Sequence, residues 1–139
     1  MNRSARNSLI PWCAEHGTGV IVYSPMASGL LTGKFDPARI RDLPEDDWRK
    51  NAPNFQEPRL SANLELVGRL DEMADRLGTT LPALAVAWTL AIPGVSAAIV
   101  GARRPDQVDG WLPASDLDLS DDVLSEIESA VEETGAGSE

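Results

Sequence analysis

The run Gly19-Val20-Ile21-Val22-Tyr23-Ser24-Pro25-Met26-Ala27-Ser28-Gly29-Leu30-Leu31-Thr32-Gly33-Lys34 decides the fold class. Its first five residues form a nearly continuous apolar, β-branched stretch, the pattern of a parallel strand covered on both faces. Ser24-Pro25 ends the strand, and a loop of small residues follows. The pattern returns at Ser96-Ala97-Ala98-Ile99-Val100, ended by Gly101. After it, Arg104-Pro105-Asp106-Gln107 opens a helix, with Pro105 as first helical residue and Asp106 at the positive end of the helix. Parallel-type strands alternating with helices give an α/β class.

Outward from these strands the chain reads mostly as helix. Leu9, Trp12, Cys13 and Ala14 stand at helical spacing, and Gly17 and Gly19 stop that short segment. Ser61 is read as the cap of a helix in which Leu64, Val67, Leu70, Met73, Ala74 and Leu77 recur every three or four residues, closed by Gly78. Thr80-Leu81-Pro82 starts another, with Leu84, Ala85, Trp88 and Leu90 as its buried positions and Ile92-Pro93-Gly94 as its stop. Ser120-Asp121-Asp122 caps a last helix that buries Val123, Ile127, Ala130 and Val131, and the tail 132–139 reads as disordered. Residues 35–60 are polar and broken by Pro37, Pro44, Pro53 and Pro58, which predicts a long loop with no more than a helical turn around 45–50. Two strands so far apart in sequence do not make a sheet that survives alone, and their edges would be bare. The pattern therefore predicts part of a larger architecture.

Bulk properties exclude several function classes. The 139 residues fit one domain, with 42% hydrophobic residues. Twelve Lys and Arg against 22 Asp and Glu give a net charge of -10, which repels nucleic-acid backbones and anionic lipid surfaces. A single cysteine, Cys13, excludes an internal disulfide framework, and no apolar run approaches a membrane span. The basic start, residues 1–8, is not followed by a long apolar run and is not read as a signal peptide. These features predict a reducing cytoplasm.

The two strand ends hold the candidate chemistry, because ligands of parallel α/β folds bind at the C-terminal ends of strands. Around the first, small residues let the backbone approach a ligand, Ser24 can donate a hydrogen bond and Lys34 adds positive charge, a composition suited to a nucleotide diphosphate. From the residues alone, a plain strand-to-loop turn explains this run as well, and is the commoner case. At the second, free amides at a helix start beside Arg103 and Arg104 make an anion site suited to a phosphate monoester; a solvated arginine pair is the equal alternative. His16 reads as a helix-end residue and Cys13 as a small core residue. Glu45-Asp46-Asp47 and Glu132-Glu133 read as solvated charge, and no metal spacing, Ser-His pair or dinucleotide glycine fingerprint is present.

Together the two runs resemble the aldo-keto reductase family. The first matches its Y-S-P-L-x-x-G-L-L-T-G-K pattern with Met26 for Leu, the second its V-G-A-R-R-P-x-Q pattern, and Ala83-Leu84-Ala85-Val86-Ala87-Trp88 agrees as well. The resemblance runs from Leu9 to Val131. It implies residues 1–131 as the C-terminal part of a (β/α)₈ TIM barrel, strands seven and eight with the final helices, too short to close the barrel alone. It implies an NADP(H) site in segments 23–34 and 99–111. Tyr23 would stack on the nicotinamide; Ser24, Pro25, Met26, Gly29, Leu31 and Lys34 would line the pyrophosphate. Gly101, Arg103 and Gln107 would reach the adenosine and its 2′-phosphate. Gly110-Trp111 stand where many members carry Glu-Asn near the adenine.

The family's Asp, Tyr, Lys and His tetrad lies on earlier strands, so the resemblance assigns no catalytic residue to this chain. The expectation is an NADPH-dependent carbonyl oxidoreductase part, inactive alone. The rival expectations are a nucleotide-binding or regulatory half-barrel module that pairs with a separate N-terminal half or with itself, and a non-functional truncated product.

Overall fold

Gly94 has φ of 95°, and a Cβ there would sit 2.9 Å from Ile10 Cγ2. Only glycine lets the turn before the second strand pack this closely on the first helix. That helix, α1 (Leu9–Glu15), leads into strand β1 (Val20–Tyr23), which pairs in parallel with β2 (Val95–Ile99). Ile21 lies opposite Ala97 and Tyr23 opposite Ile99. The register slips between Val20 and Ile21, where the Val20 N–H donates to Ser96 Oγ at 3.2 Å. The computed structural model describes residues 3–137; Met1 and Asn2 of the basic start, and 138–139 of the tail, lie outside the described residues.

Between the strands stand α2 (Pro37–Arg41), α3 (Arg59–Arg76) and α4 (Leu81–Leu90), and after β2 come α5 (Pro105–Asp109) and α6 (Asp121–Thr134). Helices α3, α4 and α6 build the main core from Leu66, Leu70, Met73, Leu84, Ile127 and Val131. Helix α4 is buried nearly all round rather than along one stripe, and Leu90, read as buried, is exposed at its end. Its start is fixed by Thr80, whose Oγ1 accepts from the Ala83 N–H and donates to the Gly110 carbonyl.

Several boundaries move from their sequence reading. Helix α3 begins at Arg59, two residues before its expected cap; the Ser61 N–H and hydroxyl donate to Glu57, which caps the first turn from outside. Helix α6 continues through Glu132 and Glu133 to Thr134, and Gly135 closes it in the left-handed region. Ala136 is buried in the main core, so the segment expected to be disordered from residue 132 is ordered through the described residues. Continuation of the α6 ladder to Thr134, the Gly135 cap, the Arg69–Glu133 pair and buried Ala136 together hold this segment.

The loop 35–60 is the largest departure. It holds α2, capped by the Asp36 side chain accepting from the Arg39 N–H at 2.7 Å, and 3-10 turns at Trp48–Asn51 and Pro53–Phe55. Leu30, Phe35, Ile40, Phe55 and Leu60 form a second core beneath these turns. Asn63 Nδ2, fully buried on α3, donates to the Asn54 carbonyl at 3.0 Å and ties this core to the helix. The four prolines punctuate short turns instead of preventing structure.

The strands are not covered on both faces. Val20 and Val22 are half-buried, whereas Ile21, Tyr23 and Ile99 on the opposite face are exposed, as are Leu9 and Trp12 on α1. Phe55→Ala removes the centre of the second core, where Phe55 and Phe35 rings meet edge to face at 5.3 Å. It should lower stability by about 3–5 kcal/mol, measured by denaturant unfolding monitored by far-ultraviolet circular dichroism.

Candidate functional site

Beyond β1 the backbone turns sharply. Ser24, Ala27 and Ser28 have φ of 56°, 49° and 57°, left-handed values that non-glycine residues adopt at a cost of about 1–2 kcal/mol each. Packing enforces the conformation: Leu30 enters the second core and Leu31 the main core, on either side of the loop. Gly29 follows with φ of 101°, and a Cβ there would press to 3.1 Å on Phe35 Cε2. Thr32 Oγ1 donates to the Gly29 carbonyl at 2.6 Å. Backbone strain that neighbouring packing over-determines concentrates at functional sites.

This loop forms one wall of a cleft of about 560 Å³. The opposite wall is the segment after β2, with Gly101, Ala102, Arg103, Gln107 and Trp111. All of the ten residues singled out from sequence line the cleft except Tyr23 and Leu31. Tyr23 stands at the strand end with 80% exposure. Leu31 is 6% exposed with its side chain in the main core, so it holds the loop rather than lining the cleft.

The second wall differs from its sequence reading. The Arg103 and Arg104 N–H groups are not free: both donate to Gln107 Oε1, at 2.7 and 3.3 Å. Gln107 therefore organises the turn into α5. Arg104 is spent on Asp106, with Nη2 at 2.7 Å and Nε at 3.0 Å from its carboxylate. Those hydrogen bonds hold the Asp106 carboxyl below its usual range and raise the Arg104 guanidinium. Arg103 lines the cleft, and its guanidinium is the cation left to meet an anion on this wall.

The third side was not legible. Phe35, Arg39, Trp48 and Arg49 line the cleft from the 35–60 segment. Asp47, read as solvated charge, grips Arg49: its carboxylate accepts from Arg49 Nη2 at 2.5 Å and Nε at 2.9 Å, and from the Arg49 N–H at 3.1 Å. Hydrogen bonds from Arg49 hold the Asp47 carboxyl down to about 2, against burial, and the charge of Arg103 adds in the same direction. Glu45 is likewise paired, with Lys50 Nζ at 2.6 Å. The signals available in sequence were Asp36-Pro37, a cap followed by proline at the first helical position, and Asp47 two residues before Arg49.

Elsewhere, Cys13 is buried, and His16 ends α1 stacked on Trp12 with Nδ1 2.8 Å from the Trp12 carbonyl oxygen. Among the described residues there is no cluster of His, Cys, Asp and Glu fit for a metal ion, and no helix long and apolar enough to cross a membrane.

A family model described as the aldo/keto reductase family matches residues 1–132. The chain is similar to an aldo-keto reductase of Bacillus subtilis (strain 168), 32% identical over 133 residues, covering 95% of this chain and 40% of that protein. It is similar to a probable voltage-gated potassium channel subunit beta of Arabidopsis thaliana, 37% identical over 128 residues, covering 88% of this chain and 38% of that one. An NADH-specific methylglyoxal reductase of Escherichia coli (strain K12) is 32% identical over 121 residues, 87% of this chain and 36% of its own. The solved structure of a glycerol dehydrogenase from Gluconobacter oxydans superposes with a TM-score of 0.85 at 30% identity, over 96% of this chain and 40% of that one. The chain thus spans about 40% of the length of the relatives it matches.

Because the Asp47 carboxyl is depressed, its stabilisation is present above the ordinary carboxylate pKa of 3.8 and is lost only as pH falls through about 2. Carbon-13 NMR of the Asp47 carboxyl should show no titration between neutral pH and about pH 4, where an unpaired Asp is already about half protonated. In Arg49→Met it should titrate in the ordinary range.

Proposed function

The chain belongs to the aldo/keto reductase family as the C-terminal portion of its barrel, and on that premise we propose that it is the cofactor-holding portion of an NADPH-dependent oxidoreductase acting on aldehydes and ketones. The observation that carries this reading is the charge of the cleft. In a chain of net charge -10, Lys34, Arg39, Arg49 and Arg103 converge on one cleft, where the acidic lining residue, Asp106, is already paired with Arg104. Converging guanidiniums and an ammonium over a close-approach backbone suit a dinucleotide with several phosphate charges.

The residues fit such a ligand in distinct roles. Ser24, Pro25, Met26, Gly29 and Lys34 present small side chains, a hydroxyl and a cation along one wall for a pyrophosphate. Tyr23, exposed at the strand end, offers a flat ring for the nicotinamide. Gly101, Arg103 and Gln107, on the opposite wall of the cleft, suit the adenosine end and its 2′-phosphate. Leu31 supports this wall from the core. The bound nicotinamide supplies the hydride, and the protein positions it and excludes competing chemistry.

Reduction of a carbonyl also needs a proton donor, which the family resemblance places on earlier strands. The exposed face of Ile21, Tyr23 and Ile99 and the free edges of β1 and β2 favour completion by further parallel strands, in the same polypeptide or a second one, or by self-association. A half-barrel module acting with a partner is therefore the second reading. Buried Cys13 and the absence of other thiols accord with a reducing cytoplasm.

The relative named as NADH-specific makes the 2′-phosphate the discriminating group. Arg103→Ala should weaken NADP binding about tenfold, since one lost charge-assisted hydrogen bond of about 1.5–3 kcal/mol is at least that factor, and leave NAD nearly unchanged. Calorimetric titration of both nucleotides decides it; equal losses would assign Arg103 to a shared contact. The chain by itself should show no NADPH-dependent carbonyl reduction above background, and sustained turnover by the purified chain would overturn the assignment of the proton donor to other strands.

A further inference from the structure

Arg49 is held on three sides, and the arrangement assigns a task to a residue that does not line the cleft. Its Nε and Nη2 edge is gripped by both oxygens of Asp47. Its plane lies over the Phe35 ring at 5.1 Å from the ring centre, and its remaining nitrogen, Nη1, points at the Ser28 carbonyl at 3.5 Å, the outer limit of a hydrogen bond. The side chains of Asp47 and Arg49 are only 16% and 18% exposed. Arg39 approaches the same ring at 5.3 Å. Two guanidiniums on one phenyl ring repel each other, and the Asp47 carboxylate offsets part of that repulsion while Arg49 stays protonated.

Resting on the nucleotide-binding reading above, we infer that Asp47 is a positioning residue that fixes Arg49 as a wall cation for the pyrophosphate of the bound dinucleotide. The forked bond fixes the guanidinium plane, which a single hydrogen bond would leave free to rotate. With that edge occupied, the Nη1 end faces the strained loop at Ser28 and Gly29, both of which line the cleft. Asp47 stays ionised throughout the neutral range, so the grip does not open with physiological pH. Without the carboxylate, repulsion from Arg39 and the hydration of a free guanidinium draw Arg49 out of the cleft.

The test is calorimetric titration of NADP and NAD against the full chain and its Asp47→Asn, Asp47→Glu, Arg49→Met and Asp47→Asn/Arg49→Met variants. Because the pyrophosphate is common to both nucleotides, Asp47→Asn should weaken both about tenfold, the size expected for loss of one charge-assisted contact. Asp47→Glu should fall between parent and Asp47→Asn. In the Arg49→Met background Asp47→Asn should cost nothing more, which a structural role independent of Arg49 would not reproduce. Undiminished affinity in Asp47→Asn, or an added loss in the Arg49→Met background, overturns the inference. Should Asp47→Asn fail to fold, Arg49→Lys keeps the charge but not the fork; it should lose affinity to a similar extent, and an unchanged affinity overturns the inference. If the parent binds neither nucleotide, the proposed function falls and this inference with it. If Arg103→Ala discriminates between the nucleotides while Asp47→Asn is silent, only this inference falls.

Discussion

The site depends on two adjacent leucines that go in opposite directions. Leu30 is buried under the 35–60 turns and Leu31 among α3, α4 and α6, while Met26 packs against the main core and the α4 cluster. Consecutive side chains anchored in separate cores leave the intervening backbone no freedom to relax. That is how Ser24, Ala27 and Ser28 can hold left-handed φ values whose summed cost is several kcal/mol at about 1–2 each. Burying two leucine side chains contributes about 3–6 kcal/mol, enough to offset that strain. The loop is held between close-packed cores, and hydrogen bonds from the Ala27, Gly29 and Leu31 N–H groups to the Ser24 and Met26 carbonyls tie its own backbone together.

Electrostatics then separates two kinds of arginine. Arg104 and Arg49 are committed to Asp106 and Asp47, and raised guanidinium pKa values record that commitment. Arg69 is shared by Glu133 and Glu65 on the surface, where such pairs contribute little. Arg103 has no such carboxylate within bonding distance among the described residues, although its charge reaches Asp47. The cleft is locally positive in an acidic protein because four cations line it, while its acidic lining residue, Asp106, is paired with Arg104.

The open side of the molecule follows from the same architecture. Parallel strands in a barrel carry side chains inward and helices outward, so two strands taken with their helices present one covered and one bare face. Ile21, Tyr23 and Ile99 lie on the bare face, and Leu9 and Trp12 on α1 are exposed as well. The span of about 40% of the relatives' length agrees with this distribution. Tyr23 is exposed because it stands on this bare face at the end of β1.

Element type and order were legible in the sequence because hydrophobic period, caps and proline position are local signals. β1 and β2 formed where the runs Gly19–Tyr23 and Ser96–Val100 indicated them, and α4 and α6 where Thr80 and Ser120 did, within a residue or so. The two glycine-rich strand ends identified the walls of the cleft for the same reason. Three features came only from tertiary structure: Leu31 turned inward, Gln107 occupied the amides expected to be free, and Asp47 with Arg49 brought a third wall from a segment read as loop. Each depends on partners that sequence spacing does not specify: the core volume between α3 and α6, the turn geometry before α5, and the apolar cluster of Phe35 and Phe55. Local chemistry determines which residues are able to serve a site; long-range packing decides which of their atoms are left free to do so.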